Sequence, residues 1–218
     1  MIINHKYKFI FIHVPKCAGT SITKALYPYC DHHDTVLGGH ADAPEQIVEK
    51  DGFCIHKHSD AQEIKKYATP ERWEEYFVFT FVRHPVDRII SLYEWWRHTP
   101  GEWDLKTKAK IEKMSFKEFV FSKHTGTPQV QYLTSRGEQK KYFTENKFKM
   151  EIDFIGSKER INRDFGYVCG LLNLPRIILP KENVSHNRKK DNNYYLDNEI
   201  RREIKRKFHE DYDFFGYK

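Results

Sequence analysis

The sequence predicts an α/β protein in which helices flank a parallel sheet. Short apolar runs rich in β-branched and aromatic residues alternate along the chain with segments of helical periodicity. The two strongest runs are each followed by a turn and a helical pattern, the order expected of parallel strands joined by crossover helices. The 218 residues contain no repeat and no linker, so a single domain over residues 1–218 is expected.

In the first third of the chain the pattern predicts a buried strand at Lys8–Val14 and a helix at Thr20–Leu26. Pro28–Pro44 is rich in His, Asp and Gly and is predicted to be a loop. A short helix is expected at Pro44–Lys50, and a short apolar strand at Gly52–His56.

The middle of the chain contains the strongest strand signal, Tyr76–Val82. A helix at Ala61–Tyr67 precedes it, and Thr69 with Pro70 marks a helix start. Pro85 is predicted to begin a long helix that ends near Arg97.

Later elements are weaker. Residues 99–114 form a Lys-rich connection, and no structure is assigned to residues 123–150. The remaining predictions are a capping box at Ser115–Glu118, a strand ending at Phe154–Gly156, a helix at Arg160–Leu172, a strand at Arg176–Leu179 and a closing helix at Asp197–Phe208.

Composition excludes several classes of protein. Apolar residues make up 39% of the chain and aromatic residues 15%, too many for a disordered chain. The formal net charge of +6 fits an anionic partner without naming one. No run is long enough to span a membrane and no signal peptide pattern is present, so a cytoplasmic protein or an excised catalytic domain is expected.

The four cysteines lack CxxC spacing, which argues against a zinc ribbon or a disulfide framework. Cys54 and Cys169 lie in apolar runs and are expected to be buried thiols, whereas Cys17 is expected to be exposed.

The most informative segment is Phe9–Ile22, where an apolar run stops at Pro15 and a small-residue loop carries Lys16. A strand, a Lys-bearing loop and a helix N-terminus in this order build an anion site from backbone N–H groups, the helix dipole and a full charge. The predicted anion-binding residues are Lys16, Cys17, Ala18, Gly19, Thr20 and Ser21. The alternative is an ordinary strand-turn-helix connection with a capping Thr.

A second segment, Phe79–Tyr93, repeats the pattern. Its strand delivers Arg83 at the carboxyl end, where ligands bind in open α/β sheets, and Ser91 lies about two turns along the next helix. Arg offers a planar fork for phosphate. Alternatively, Arg83 pairs with a carboxylate such as Asp87; Asp87 and Arg88 are interpreted as a structural helix-start acid and a surface base.

The two segments together resemble the 5′-phosphosulfate loop and the 3′-phosphate motif of sulfotransferases. Both motifs are similar to those of the carbohydrate sulfotransferases that include heparan sulfate 2-O-sulfotransferase. Their forms in this chain are His-Val-Pro-Lys-x-Ala-Gly-Thr-Ser and Phe-Val-Arg-x-Pro-x-x-Arg-x-x-Ser-x-Tyr. The resemblance implies a P-loop nucleotide-hydrolase-like architecture. It also implies a carbohydrate-type hydroxyl acceptor and 3′-phosphoadenosine 5′-phosphosulfate (PAPS) as co-substrate, without a metal. It places Lys16 to Ser21 on the 5′ end and Arg83 with Ser91 on the 3′-phosphate, and it adds Ser185 and Arg188 from a loop over the donor.

The segment Cys54–Ser59, which follows a predicted strand, contains two candidates for the base that deprotonates the acceptor hydroxyl. Imidazole suits proton abstraction near neutral pH, and the His-x-His arrangement resembles the segment of the heparan sulfate enzyme that holds its histidine base. His58 is the predicted base and His56 the second choice. Zinc binding with His32 or His40, and a purely structural histidine pair, remain alternatives.

Two other functions compete. A P-loop nucleotide kinase is disfavoured because Lys16 precedes the single Gly19 instead of following a glycine run. A nucleic-acid or polyanion binder would use the basic residues of 189–207, but such a run is usually a solvated helix face and no base-stacking motif accompanies it. The acceptor and the oligomeric state are not fixed by the sequence.

Overall fold

The computed structural model describes residues 1–38, 47–50, 52–98, 105–122, 138–144, 152–180 and 191–218. The chain divides into two compact units: Met1–Arg83 with Lys141–Asn183, and His84–Lys140 with Val184–Lys218. No helix within the described ranges is both long enough and apolar enough to cross a bilayer.

The first unit is built on a five-stranded sheet. Its strands are β1 (Ile2–Asn4), β2 (Phe9–Ile12), β3 (Thr35–Val36), β6 (Phe77–Val82) and β7 (Phe154–Ser157), in the order β3-β1-β2-β6-β7. Strands β2, β6 and β7 are parallel, whereas β1 is antiparallel to both of its neighbours. The prediction of a mixed α/β fold with a parallel sheet is therefore confirmed for the centre and corrected at one edge, where β1 and β2 form a hairpin.

One face of this sheet carries alternate side chains of its strands, including Phe9, Phe11, Phe79 and Phe81, all fully buried. Helices α1 (Gly19–Leu26) and a later helix at Ile161–Leu171 pack on this face through an apolar stripe each. The burial of aromatic rings against helix faces is the main source of stability here.

A second, two-stranded antiparallel sheet pairs β4 (Ile47–Lys50) with β5 (Phe53–His56). The helix predicted at Pro44–Lys50 is wrong for its described part, since Ile47 and Val48 are β-branched and pair with β5. The loop predicted at Pro28–Pro44 overlaps the 3₁₀ turn Tyr27–Tyr29 and contains β3.

Two helices complete the amino-terminal part of this unit, α2 (Ala61–Ala68) and α3 (Pro70–Glu75). Asp60 caps α2 in a full capping box with Glu63. Pro70 occupies the first turn of α3, as predicted, but Thr69 has φ 74° and makes no side-chain cap.

The second unit is helical over its described residues. Its helices are α4 (Pro85–His98), α5 (Leu105–Glu112), α6 (Phe116–Phe121), α8 (Asn198–Lys207) and α9 (His209–Phe215); the helix Ile161–Leu171 of the first unit is named α7. The capping box of Ser115 and Glu118 is confirmed. Asp197 caps α8, and α9 is an addition that the sequence analysis did not separate.

The strand predicted at Arg176–Leu179 is wrong. Residues 174–180 have no regular secondary structure, and the side chain of Ile178 is 90% exposed. Pro175 and Pro180 flank the segment, and proline cannot donate to a strand ladder. The cysteine predictions are corrected as well: Cys17 is buried and Cys54 is exposed, while Cys169 is buried as expected.

Candidate functional site

The loop between β2 and α1 has an unusual backbone. Lys16 and Ala18 both have positive φ, 65° and 68°, a region that costs a non-glycine residue about 1–2 kcal/mol. Ala18 is also the residue before the first turn of α1, and it has no side chain that could cap the helix. Strained backbone concentrates at ligand-binding and catalytic sites, so these features make the loop a candidate site.

Gly19 is required by its neighbour. A Cβ atom at this position would overlap the imidazole ring of His13, which is buried at the end of β2. Among the described residues Nδ1 of His13 finds no hydrogen-bond partner, and burial above all lowers the pKa of His13 well below its usual value. A neutral ring therefore packs directly against the first residue of α1, and only glycine lets the loop close over it.

Three cations come together at the carboxyl ends of the parallel strands. Burial, and then the charges of Arg83 and Lys57, lower the pKa of Lys16 from its usual 10.5 to about 7. Arg83, directly after β6, donates from Nη1 to the carbonyl oxygen of Lys16 at 3.3 Å. Like charges depress a lysine pKa because the charged form is repelled, so the loop is electrostatically prepared for an anion.

Lys57 is the residue of this cluster that the sequence analysis missed. It lies in the turn after β5, half-buried, and burial lowers its pKa. Gly38, with φ 71°, leaves room for its stem: a Cβ at Gly38 would lie 2.6 Å from Lys57 Cδ. The charge of Lys57 also contributes to the lowered pKa values of Lys16 and His58. Its position between two candidate histidines was the only signal in the sequence.

His58 is held in one tautomer. Its Nδ1 lies 2.9 Å from the carbonyl oxygen of His13, and because a carbonyl only accepts, Nδ1 carries the proton and donates. The basic nitrogen is therefore Nε2. The two rings also meet edge to face, with centroids 4.8 Å apart. Burial above all lowers the pKa of His58 to about 3, so the ring is neutral at physiological pH.

His56 has a different task. Its Nδ1 accepts the backbone N–H of His58 at 3.0 Å, and its own backbone N–H donates to Ser59 Oγ at 3.0 Å. These bonds hold the tight turn that carries Lys57 and His58. Nδ1 of His56 is thus engaged within the turn, whereas the fixed tautomer of His58 leaves its Nε2 as the nitrogen that can accept a proton.

The remaining loop residues follow the predicted order. Cys17 is buried and directs Sγ to the carbonyl of Pro15 at 3.5 Å. Thr20 and Ser21 lie in the first turn of α1, half-buried and buried. The structure therefore brings Lys16 to Ser21, Arg83 and His58 into one unit at one end of the sheet.

Ser91 lies on α4 in the second unit and is half-buried. Ser185 and Arg188 fall outside the described residues. The interpretation of Arg88 as a surface base is wrong: it is 3% exposed, and its charge lowers the pKa of the buried Asp211, a pKa that burial raises overall. Asp87 is half-buried and accepts a hydrogen bond from Asn192 Nδ2 at 3.3 Å.

Comparison with known proteins decides the family. A family model described as "Sulfotransferase family" matches residues 1–218. The chain belongs to this family. Among curated relatives, it is 24% identical to Carbohydrate sulfotransferase 10 of Xenopus laevis over all of the chain and 67% of that protein. It is 24% identical to Carbohydrate sulfotransferase 14 of Danio rerio, with 100% and 62% covered, and 25% identical to Carbohydrate sulfotransferase 10 of Mus musculus, with 97% and 65% covered.

This sulfotransferase thus spans about two thirds of the length of the curated relatives it matches. No solved structure gives a significant match. The family match identifies an enzyme of the sulfotransferase class and does not favour the nucleotide kinase alternative.

Proposed function

We propose that this sulfotransferase moves a sulfuryl group from PAPS to a hydroxyl of a carbohydrate acceptor, with His58 as general base. The observation that carries the proposal is the cluster of Lys16, Lys57 and Arg83 beside a neutral histidine of fixed tautomer. The printed names of the relatives support sulfuryl transfer to carbohydrate. The P-loop-like architecture is proposed with it, on the strand-loop-helix at residues 9–26.

Donor binding is assigned to the strand ends. Lys16 and the first-turn N–H groups of α1 hold the 5′ phosphosulfate, because a helix N-terminus and a lysine attract an anion to the same place. Arg83 is assigned to the 3′-phosphate, and Ser91, Ser185 and Arg188 keep the donor-binding roles predicted for them. Lys57 joins Lys16 on the transferring end, since its charge acts on both Lys16 and His58.

The reaction is an in-line displacement at sulfur. The acceptor oxygen forms the new S–O bond while Nε2 of His58 takes its proton, and the bond from sulfur to the 5′-phosphate oxygen breaks. The leaving group is adenosine 3′,5′-bisphosphate, whose growing charge Lys16 and the loop N–H groups stabilise. No group on the acceptor other than the hydroxyl needs to ionise.

Donor binding also prepares the base. In the free protein, burial and the charge of Lys57 hold the pKa of His58 near 3, too low for efficient proton transfer. An anion bound at Lys57 offsets that charge and raises the pKa of His58 towards the working range. Proton abstraction is thereby coupled to an occupied donor site.

The test is transfer of labelled sulfate from PAPS to a panel of glycans and small alcohols by three proteins: wild type, His58→Asn and His32→Asn. Asparagine at position 58 can still donate to the His13 carbonyl but cannot act as a base. We expect turnover to fall by about 10²–10⁴ in His58→Asn with unchanged affinity for adenosine 3′,5′-bisphosphate. His32 is exposed and serves as the matched control.

Undiminished transfer by His58→Asn would show that His58 is not the base. It would not contradict the proposed donor site. Absence of both label transfer and bisphosphate binding in the wild type would contradict the proposed reaction as a whole.

A further inference from the structure

His13 follows β2 directly, and its side chain packs inside the first unit. The residue is 4% exposed. Its ring contacts the rings of Phe11 and His58, with centroids 6.0 and 4.8 Å away. A phenyl ring would suit these neighbours as well, and it would bury no polar atom. Packing alone therefore does not account for an imidazole at this position.

The ring nitrogens of His13 are not satisfied within the described part of the chain. Nδ1 is fully buried and has no hydrogen-bond partner among the described residues, and no described group is hydrogen-bonded to Nε2. Burial above all, with smaller contributions from charges that include Lys57 and Lys16, lowers the pKa of His13, so the ring is neutral and carries one N–H. Buried N–H groups without an acceptor are rarer than buried acceptors without a donor, so Nε2 carries the proton.

The Nε2 edge of the ring lies at the start of α1. A Cβ atom at Gly19, the first residue of this helix, would lie 2.0 Å from Cδ2 and 2.1 Å from Nε2 of His13. The Cα–Cβ bonds of a helix tilt toward its N-terminus, so this edge of the ring is on the N-terminal side of the first turn. That is the side on which the backbone N–H groups and the dipole of a helix attract an anion.

We infer that His13 is a further donor-binding residue, whose Nε2–H donates a hydrogen bond to an oxygen of the 5′-phosphate of PAPS. The assignment rests on the proposed function, which places that phosphate at Lys16 and the first turn of α1. A buried polar atom costs free energy until it is paired. A phosphate oxygen bound here satisfies the imidazole together with the start of the helix.

A neutral donor suits this place better than another cation. Lys16 already lies with Lys57 and Arg83, and a fourth charge would add to their repulsion. The N–H of a neutral imidazole supplies a hydrogen bond to the phosphate without that repulsion. Such a bond is stronger than one between two neutral groups, because its acceptor is ionised.

The test compares two ligands, adenosine 3′,5′-bisphosphate and adenosine 3′-monophosphate, which differ only in the 5′-phosphate. Calorimetry gives the ratio of their dissociation constants, the 5′-phosphate preference, for the wild type, His13→Asn, His13→Gln and His32→Asn. The side-chain N–H of glutamine reaches as far as Nε2 of histidine, whereas that of asparagine reaches only as far as Nδ1. His32 is exposed and controls for the loss of an imidazole.

We expect the 5′-phosphate preference to fall by about tenfold or more in His13→Asn, to be largely kept in His13→Gln and to be unchanged in His32→Asn. Affinity for adenosine 3′-monophosphate should be the same in all four proteins. A merely structural role of His13 would weaken the binding of both nucleotides alike, or would affect His13→Asn and His13→Gln equally.

Either of those results, or an unchanged preference in His13→Asn, would overturn the assignment of His13 and would leave the proposed donor site uncontradicted. A wild type without any 5′-phosphate preference would contradict the proposed donor site, and the assignment of His13 with it.

The wild type gives a second test that needs no substitution. Long-range proton–nitrogen NMR spectra distinguish the two neutral tautomers of a histidine. We expect His13 to carry its proton on Nε2, and the resonance of this nitrogen to shift on addition of the bisphosphate but not of the 3′-monophosphate. A proton on Nδ1, or the same response to both nucleotides, would overturn the assignment.

Discussion

Lys16 in the first unit and Arg206 in the second unit have opposite surroundings. In the first, Lys16 lies with Arg83 and Lys57, and its pKa falls to about 7. In the second, Arg206 on α8 donates to both carboxylate oxygens of Glu203, at 2.8 and 2.7 Å, and this pairing raises the pKa of Arg206. Helix α8 is far denser in basic residues than the loop. The neighbours of a cation, and not the density of basic residues, distinguish a ligand site from a solvated face.

The contrast extends to Lys117, whose pKa is raised by an ion pair with Glu199. Repulsion among Lys16, Lys57 and Arg83 destabilises the folded protein when no ligand is bound. A bound anion offsets this repulsion, whereas Arg206 and Lys117 are already paired with carboxylates of the chain.

The largest effect is expected from Lys16→Met. Loss of one preorganised donor at a developing charge costs about 10²–10³ in rate, so kcat/KM should fall by about 10³ in the sulfuryl transfer assay. The midpoint of thermal unfolding at pH 7 should rise, because the substitution removes a half-buried cation that repels Arg83 and Lys57. Lys66→Met, at an exposed position of α2, is the control. Loss of activity together with lower stability would indicate a misfolded loop. It would contradict the claim that Lys16 is repelled by its neighbours while the cations of the second unit are paired.

A smaller effect is expected from a single methyl group at the loop. Gly19→Ala brings a Cβ into the ring of His13 and should destabilise the protein by about 1–3 kcal/mol in denaturant unfolding, with weaker binding of adenosine 3′,5′-bisphosphate. Gly170→Ala, on the exposed side of α7 where a Cβ meets nothing within 4 Å, should be neutral or stabilising by up to about 1 kcal/mol. The same response from both glycines would show that the packing of His13 does not shape the loop.

The smallest effect is expected in the second unit. Arg206→Gln breaks a bidentate pair at an exposed position, and such pairs add little to stability. We expect no resolvable change in the midpoint of thermal unfolding and no change in binding of adenosine 3′,5′-bisphosphate measured by calorimetry. A marked loss of binding would mean that the basic face of α8 belongs to a ligand site after all.

Local signals were sufficient for several elements of the fold, including the two strands and the loop that carry the site. The apolar runs of β2 and β6, the small-residue loop after Pro15 and the capping box at Ser115 are each visible within a few residues, and each is confirmed. The roles of His13 and Lys57 were not predictable, because they depend on contacts between segments about 45 residues apart. For the same reason Arg88 was misread: only the fold brings its charge to the buried Asp211.

The central claim, that the strand-end cations form an anion site around Lys16, is tested most directly by proton uptake. Lys16 is mostly neutral at pH 7.5 with a pKa of about 7, and a bound anion raises that pKa, so binding must take up a proton. Titration of the wild type with adenosine 3′,5′-bisphosphate, in buffers of different ionisation enthalpy, should give a net uptake of protons on binding. Lys16→Arg, which is always charged, should bind with almost none. Binding without proton uptake in the wild type, or equal uptake in Lys16→Arg, would contradict the account.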